Sequence, residues 1–212
     1  GGWSPRSCLV TFDDGFANFA DHAVPVLKAC GFTATVFVVA GWVGRRNEWP
    51  DQPTWVPRQS LMDWQALRAI AREGMEIGGH TFTHPHLARL GVTSAAGEIA
   101  DGKRAIEDQV AQYVRAFAYP YGEVTSALER IARDHFSVAF GTRLGYTASG
   151  SPLSAARRVD VYYLRSPRCF RQIGTDPLDL YLHARQQLRD LRQLGARPFA
   201  LTGPRTGHHV TS

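Results

Sequence analysis

Two short segments contain residues whose types and spacing suit a hydrolytic metal site. Asp13 and Asp14 are adjacent carboxylates after an apolar run, and His80 and His84 are imidazoles four residues apart. Because neighbouring residues point in different directions, one carboxylate can bind a metal ion while the other faces a water molecule. One Asp and two His supply three ligands and leave positions open, as in catalytic metal sites. Such a site polarises a carbonyl group and lowers the pKa of water, and the free carboxylate accepts the proton.

Each of these segments also has a plainer interpretation. Residues 13–15 read Asp-Asp-Gly, which is good turn chemistry, and taken alone they favour a turn. His80 and His84 are alternatively two surface histidines beside a bend, since two glycines precede them and Pro85 follows. A third histidine, His86, is expected to lie behind the ligands or in solvent.

A third polar segment, residues 119–122 (YPYG), follows a predicted strand. Pro120 and Gly122 indicate a fixed loop that could present a backbone N–H group to a developing oxyanion. A plain strand-to-helix turn is the alternative, and this segment alone favours it.

Apolar, β-prone runs alternate with helical patterns along the chain. Strands are predicted at residues 7–12, 33–40, 75–77, 114–119, 137–141 and 198–202. Helices are predicted at residues 19–29, 64–73, 94–110, 125–134 and 175–194, and residues 41–59 are predicted to form a long loop. This order has no internal boundary, so it predicts one α/β domain over residues 1–212, built on a parallel sheet or barrel. The polar segments then follow strand ends, where such folds carry their chemistry.

Composition argues against several classes of protein. The arginines are scattered despite a net charge of +5, and no nucleic-acid motif is present, so a nucleic-acid partner is not expected. No apolar run approaches the ~20 residues of a membrane span, so no transmembrane segment is expected. Three cysteines give neither a disulfide framework nor a thiolate zinc site, and Cys8 and Cys30 are expected to be buried. Oligomeric state is not indicated.

The N-terminal residues lack the features of a signal peptide. This predicts a cytoplasmic protein if the chain is complete and an extracytoplasmic one if it has been trimmed.

Taken together, the three polar segments resemble the polysaccharide deacetylases of the NodB-homology type, carbohydrate esterase family four. The resemblance is carried by residues 11–15 (TFDDG), 76–85 (EIGGHTFTHP) and 117–122 (FAYPYG), and it covers roughly residues 8–145. It implies a distorted (β/α) barrel with fewer than eight full units. It also implies a divalent metal ion, usually zinc with cobalt or nickel sometimes active, and an acetylated carbohydrate as substrate.

The resemblance also implies a role for each matching residue. Asp13 is the general base, and Asp14, His80 and His84 are the metal ligands. The backbone N–H of Tyr121 helps to form the oxyanion hole. These roles agree with the interpretation that the residues suggest by themselves.

The sequence departs from the family pattern at two positions beside the site. The third segment usually carries an arginine two residues before its proline, held against the base, where this chain has Ala118. We hypothesise that Arg158 supplies the missing cation. Asp160 is a candidate for the aspartate of the family's fourth motif, although the tryptophan that usually follows it is missing. A surface position on a strand is the alternative for Asp160.

The general acid is not identified from the sequence. The family's fifth motif usually ends in Leu-x-His, and residues 180–183 (LYLH) look similar, but they lie inside a predicted helix. His208 and His209 follow the last predicted strand and are the other candidates.

The expected function is hydrolysis of the N-acetyl amide of an amino sugar, in a polysaccharide or glycan. Trp42, Trp49 and Trp55 of the long loop either stack on sugar faces or pack the loop itself. An amidase or esterase acting on a small acylated molecule is one alternative, and a catalytically silent carbohydrate-binding domain is another.

Overall fold

Six parallel strands, hydrogen-bonded to one another in the order in which they occur, form the centre of the fold. The structure is a computed structural model that describes residues 7–148 and 150–195. The strands are β1 (Thr11–Phe12), β2 (Thr35–Val38), β3 (Glu76–Gly79), β4 (Ala116–Ala118), β5 (Val138–Leu144) and β6 (Ala156–Arg158).

Helices follow most of the strands, as a β-α-β order requires. They are α1 (Val24–Ala29), α2 (Trp64–Arg72), α3 (Val92–Val110), α4 (Ser126–His135), α5 (Pro167–Phe170) and α6 (Asp176–Gly195). One π-helical turn, Phe19–Ala23, leads into α1. Short 3-10 turns are Ala40–Trp42, Leu87–Arg89, Pro120–Gly122, Leu153–Ala155 and Val161–Leu164.

Helix starts agree with the capping signals in the sequence. The Asp63 side chain accepts a hydrogen bond from the amide of Ala66, at 2.7 Å, and so satisfies an amide in the first turn of α2. Thr125 serves α4 in the same way. These caps fix where helices begin, and hence where the preceding strand-end loops must finish.

The sheet curls far enough to bring its two edge strands together. Five interstrand steps of about 4.8 Å would separate β1 from β6 by ~24 Å in a flat sheet. Instead, Nη1 of Arg158, at the end of β6, lies 2.6 Å from Oδ1 of Asp13, which directly follows β1. The curled sheet of six strands confirms the predicted distorted barrel with fewer than eight units.

Residues along each strand alternate between two apolar layers. On β2, Val36 and Val38 pack in the main core with the helices, whereas Phe37 belongs to a separate cluster inside the curl. That interior cluster consists of Phe37, Ala116, Ala118, Phe140 and Ala156. Its small alanines leave room inside the curl for a long side chain from a neighbouring strand.

One of the remaining expectations from the sequence is wrong. Cys8 and Cys30 are exposed, so the prediction that both are buried is wrong. Cys8 precedes a strand of only two residues, and Cys30 caps the end of α1. The predicted strand at residues 198–202 lies outside the described residues, and the single domain stays a prediction. Among the described residues, no helix is both long and apolar enough to cross a membrane.

Candidate active site

The polar segments all lie at the carboxyl ends of the parallel strands. Asp13 and Asp14 follow β1, His80 follows β3, and Tyr121 lies in the 3-10 turn after β4. Because parallel strands end at the same edge of a sheet, residues far apart in the chain meet there.

Three side chains converge as a candidate metal-binding group. The carboxylate oxygen Oδ1 of Asp14 lies 3.3 Å from Nε2 of His80 and 3.5 Å from Nε2 of His84. The three ligand atoms all lie within 4.8 Å of one another. Ligands about 2.0–2.1 Å from a tetrahedral zinc ion lie roughly 3.3–3.4 Å from one another. The spacing and the oxygen and nitrogen donors therefore fit a zinc-like divalent ion.

His80 is held by a hydrogen bond on its far nitrogen. Its Nδ1 donates to the carbonyl oxygen of Ala118 at 2.7 Å, so Nε2 is the nitrogen left for a metal ion. Burial alone would lower the pKa of His80, but the Asp14 carboxylate, with Asp13 beside it, raises that pKa above its usual value. His80 thus lies in a strongly negative environment that favours a cation.

His84 is held by neighbouring rings instead. Its ring centroid lies 4.3 Å from that of Trp49 and 4.8 Å from that of Tyr121. Its Nδ1 is buried and has no hydrogen-bond partner among the described residues. Burial, followed by the nearby charge of His80, lowers the pKa of His84 to about 2. This histidine is therefore neutral at physiological pH, as a metal ligand must be.

The loop that carries both histidines is tied to α3. Glu98 accepts hydrogen bonds from the amides of Phe82 and Thr83 and from the Thr83 hydroxyl, at 2.7–3.1 Å. Gly102, one turn further along α3, allows the loop to approach closely, since a Cβ there would lie 2.6 Å from the carbonyl carbon of Thr81. Sequence reasoning missed Glu98, because nothing next to it in the chain marks it as a partner of the histidine loop.

Asp13 lies beside His80 but forms its ion pair, which is bidentate, with Arg158. The two oxygens of Asp13 lie 2.6 Å and 2.9 Å from Nη1 and Nη2 of Arg158. Burial alone would raise the pKa of Asp13, but the Arg158 hydrogen bonds and the nearby His80 bring it below its usual value. Asp13 is therefore ionised at neutral pH and able to accept a proton.

Arg158 reaches Asp13 through the interior of the curl. Its guanidinium carbon lies 5.9 Å and 6.0 Å from the ring centroids of Phe37 and Phe140. Ala118, where the family usually has arginine, belongs to the same interior cluster. The hypothesised contact between Arg158 and Asp13 is therefore present, with the cation coming from β6 instead of β4.

Tyr121 has a left-handed backbone and packs between two histidines. Its φ is 58° and its ψ is 2°. Its ring contacts His84 on one side and stacks on His86 on the other, at 3.8 Å between centroids and an angle of 9°. Nδ1 of His86 lies 2.8 Å from Oε1 of Glu123. Burial and the neighbouring carboxylates raise the pKa of Tyr121, so its phenol stays neutral.

The structure does not bring every candidate residue into the site. Asp160 is exposed, and its carboxylate caps a 3-10 turn by accepting from the amide of Tyr162. It therefore does not join Asp13 and Arg158 through any contact within the described part of the chain. His183 is exposed on α6, beside Arg157, as the helical pattern predicted. His208 and His209 lie outside the described residues.

The tryptophans of the long loop have different surroundings. Trp49 is buried and packs on His84, while Trp42 packs edge-on against Trp49. Trp55 is 80% exposed. The alternative of loop packing therefore holds for Trp49, and Trp55 is the ring that is open to a ligand.

Comparison with known proteins identifies similar chains. A family model described as polysaccharide deacetylase matches residues 2–137. The chitooligosaccharide deacetylase of Bradyrhizobium sp. (strain ANU 289) is 31% identical over 141 residues, which cover 63% of this chain and 57% of that protein. The chain spans 52% and 27% of the length of two further curated relatives.

Solved structures show the same fold. The structure of IcaB from Ammonifex degensii matches with a TM-score of 0.62 and 28% identity, covering 78% of this chain and 70% of that one. The Streptococcus pyogenes deacetylase PplD in complex with acetate matches with a TM-score of 0.63 and 24% identity, covering 74% and 65%.

Proposed function

This chain belongs to the polysaccharide deacetylase family, and from that premise we propose that it hydrolyses the N-acetyl amide of an amino sugar in a polysaccharide or glycan. The observation that carries the proposal is the pairing of two carboxylates with different partners. Asp14 faces two histidines, while Asp13 faces Arg158. One carboxylate is thus available for a metal ion and the other for a proton.

Asp14, His80 and His84 would hold the divalent ion, for which we propose zinc, with cobalt or nickel as functional substitutes. The convergence of their ligand atoms and the low pKa of His84 support this assignment. When bound, such an ion polarises the substrate carbonyl and lowers the pKa of a water molecule.

Asp13 would act as the general base. It takes a proton from the attacking water while the water oxygen bonds to the acetyl carbon. The ion pair with Arg158 supports this role, because it fixes the direction of the carboxylate and keeps it ionised. The backbone N–H of Tyr121 would donate to the oxygen that gains negative charge. The carbon–nitrogen bond then breaks as the nitrogen takes the proton that Asp13 removed from the water. The products are the free amine and acetic acid, which ionises to acetate.

An acetylated carbohydrate is the proposed substrate class. The name of the chitooligosaccharide deacetylase relative, which is 31% identical over 141 residues, supports it. Trp55 offers an exposed ring for stacking on a sugar face.

The test is acetate release from N-acetylglucosamine oligomers by metal-free protein supplied with zinc or cobalt. The control is Asp13→Asn, which keeps the size of the side chain but cannot accept the proton as a carboxylate does. We expect release by the unaltered protein and a loss of about 10²- to 10⁴-fold in the variant.

Two outcomes would contradict the proposal in different ways. Release from acetylated esters or small amides, but from no sugar oligomer, would replace the substrate while keeping the site. Bound metal without turnover on any acylated compound would favour a silent carbohydrate-binding domain.

A further inference from the structure

We infer that His86 and Glu123 are positioning residues that hold the peptide of Tyr121 at the site. The inference rests on the proposed function, in which the Tyr121 N–H group faces the developing oxyanion. In the described part of the chain, neither side chain forms a hydrogen bond or ion pair with Asp14, His80 or His84. His86 therefore acts through Tyr121, and Glu123 acts through His86.

The rings of His86 and Tyr121 are in direct contact. His86 and Tyr121 lie face to face at 3.8 Å, with their planes 9° apart. This is a closer and more parallel contact than the edge-on contact of Tyr121 with His84, at 4.8 Å and 69°. The face of the His86 ring thus limits the tilt of the Tyr121 ring. Because that ring belongs to the same residue as the proposed oxyanion donor, it also limits the movement of the Tyr121 peptide.

The backbone of Tyr121 has an uncommon conformation. Its φ of 58° is a conformation that residues with a side chain adopt only where their surroundings impose it. On its C-terminal side, Gly122 also has a positive φ, and a Cβ there would lie 2.0 Å from Oγ1 of Thr142. The turn is therefore wedged against β5 on one side. His86 supplies a second contact, on the side chain of Tyr121.

Glu123 holds His86 through a nitrogen of the imidazole ring. Its Oε1 accepts from Nδ1 of His86 at 2.8 Å, which orients the imidazole plane. Its Oε2 has no hydrogen-bond partner in the described ranges. Among the described residues, His86 is therefore the only hydrogen-bond partner of this carboxylate, and the two side chains form a pair beside the Tyr121 ring.

The experiment combines an amide signal with kinetics. The chain has seven tyrosines, so ¹⁵N-tyrosine labelling gives few signals, and the one that disappears in Tyr121→Phe identifies Tyr121. The signal is followed in metal-free and zinc-supplied protein for His86→Ala, His86→Phe, Glu123→Ala and Glu123→Gln. The kcat, KM and zinc affinity are measured for each.

We expect His86→Ala to shift or broaden the Tyr121 amide signal and to lower kcat by about 10- to 100-fold, with KM changed by less than about twofold. His86→Phe keeps a ring that can stack on Tyr121, so its kcat should fall much less. Glu123→Gln keeps an oxygen acceptor for Nδ1 of His86, so its kcat should be higher than that of Glu123→Ala. Zinc affinity should change little in all four variants.

An unmoved Tyr121 signal in His86→Ala would overturn the inference whatever the activity. A loss of zinc affinity as large as the loss of kcat would also overturn it, because His86 would then act on the metal ligands. If the unaltered protein releases no acetate, the proposed function fails. The amide signal still decides whether His86 positions Tyr121.

Discussion

The sheet side of the site, formed by Asp13, His80 and Arg158, and the loop side, formed by His84, Tyr121 and His86, are held in different ways. On the sheet side, hydrogen bonds of 2.6–2.9 Å join each polar group to a partner on another strand. On the loop side, the contacts between these residues are contacts between rings, and only His86 has a hydrogen bond that orients its ring, to Glu123. The His84 nitrogen that faces away from Asp14 has no partner among the described residues.

The two sides therefore control different properties of the site: the sheet side controls protonation, and the loop side controls the positions of the rings. Hydrogen bonds on the sheet side set which atoms carry protons, so a change there alters the chemistry that the site can do. Ring contacts on the loop side set only position, so a change there should cause graded losses that another ring can repair.

Among the residues that hold the base and the metal ligands in place, the largest effect is expected at Arg158 on the sheet side. Arg158→Ala should lower acetate release by about 100-fold, because Asp13 loses both the cation and the two hydrogen bonds that direct it. Arg158→Lys restores the charge but not the bidentate geometry and should recover only part of the rate. The measurement is kcat/KM on N-acetylglucosamine oligomers.

The matched control is the neighbouring Arg157→Ala. Arg157 is exposed and contacts His183 at 3.2 Å, so its loss should have little effect on the rate. Near-normal turnover of Arg158→Ala would contradict the hypothesis that Arg158 on β6 supplies the cation that Asp13 requires.

A smaller effect is expected at Glu98, which joins the histidine loop to α3. Glu98→Ala should weaken zinc binding by about 10- to 100-fold, since it removes the acceptor of three hydrogen bonds. Glu98→Gln keeps one strong acceptor and should bind zinc better than Glu98→Ala. Calorimetric titration of metal-free protein measures both, and equal affinities for the two variants would contradict the assignment.

Trp49 tests whether ring packing alone positions His84. Trp49→Ala should weaken zinc binding by about tenfold, whereas Trp49→Phe should lose less because a ring remains beside His84. Trp55→Ala is the variant to compare with Trp49→Ala. It should raise the KM for oligomers and leave the zinc affinity unchanged. If both tryptophan-to-alanine variants behave alike, the division between packing and substrate contact is wrong.

The smallest effects are expected from two glycines on the same helix. Gly102→Ala should destabilise the fold by about 1–3 kcal/mol, because its Cβ would press on the backbone of Thr81. Gly97 has open space around it, so Gly97→Ala should stabilise α3 by roughly 0.5–1 kcal/mol. Urea unfolding measures both, and the opposite signs are the prediction.

Short sequence motifs were enough to predict the candidate metal ligands and the base. Asp13, Asp14, His80 and His84 were found because each follows a strand, and the parallel order then required them to meet. The pair of Asp13 and Arg158, 145 residues apart, was predicted only because the expected arginine was missing at Ala118.

Other features had no local signal. Glu98 and Glu123 are ordinary carboxylates by sequence, and their partners became visible only when the loops were in place. Asp160 follows β6 closely, but the chain turns there into a 3-10 turn that takes up its carboxylate. The length of β3 was underestimated, since Gly78 and Gly79 continue the ladder to β2 despite their low strand preference.

The central claim is that Asp14, His80 and His84 hold one metal ion that the deacetylation by this chain requires. The most direct test measures bound zinc and acetate release on the same samples as metal-free protein is titrated with zinc. We expect acetate release to rise in proportion to bound zinc and to level off near one ion per chain, and we expect His80→Ala to abolish both. Undiminished acetate release by protein freed of metal would contradict the account.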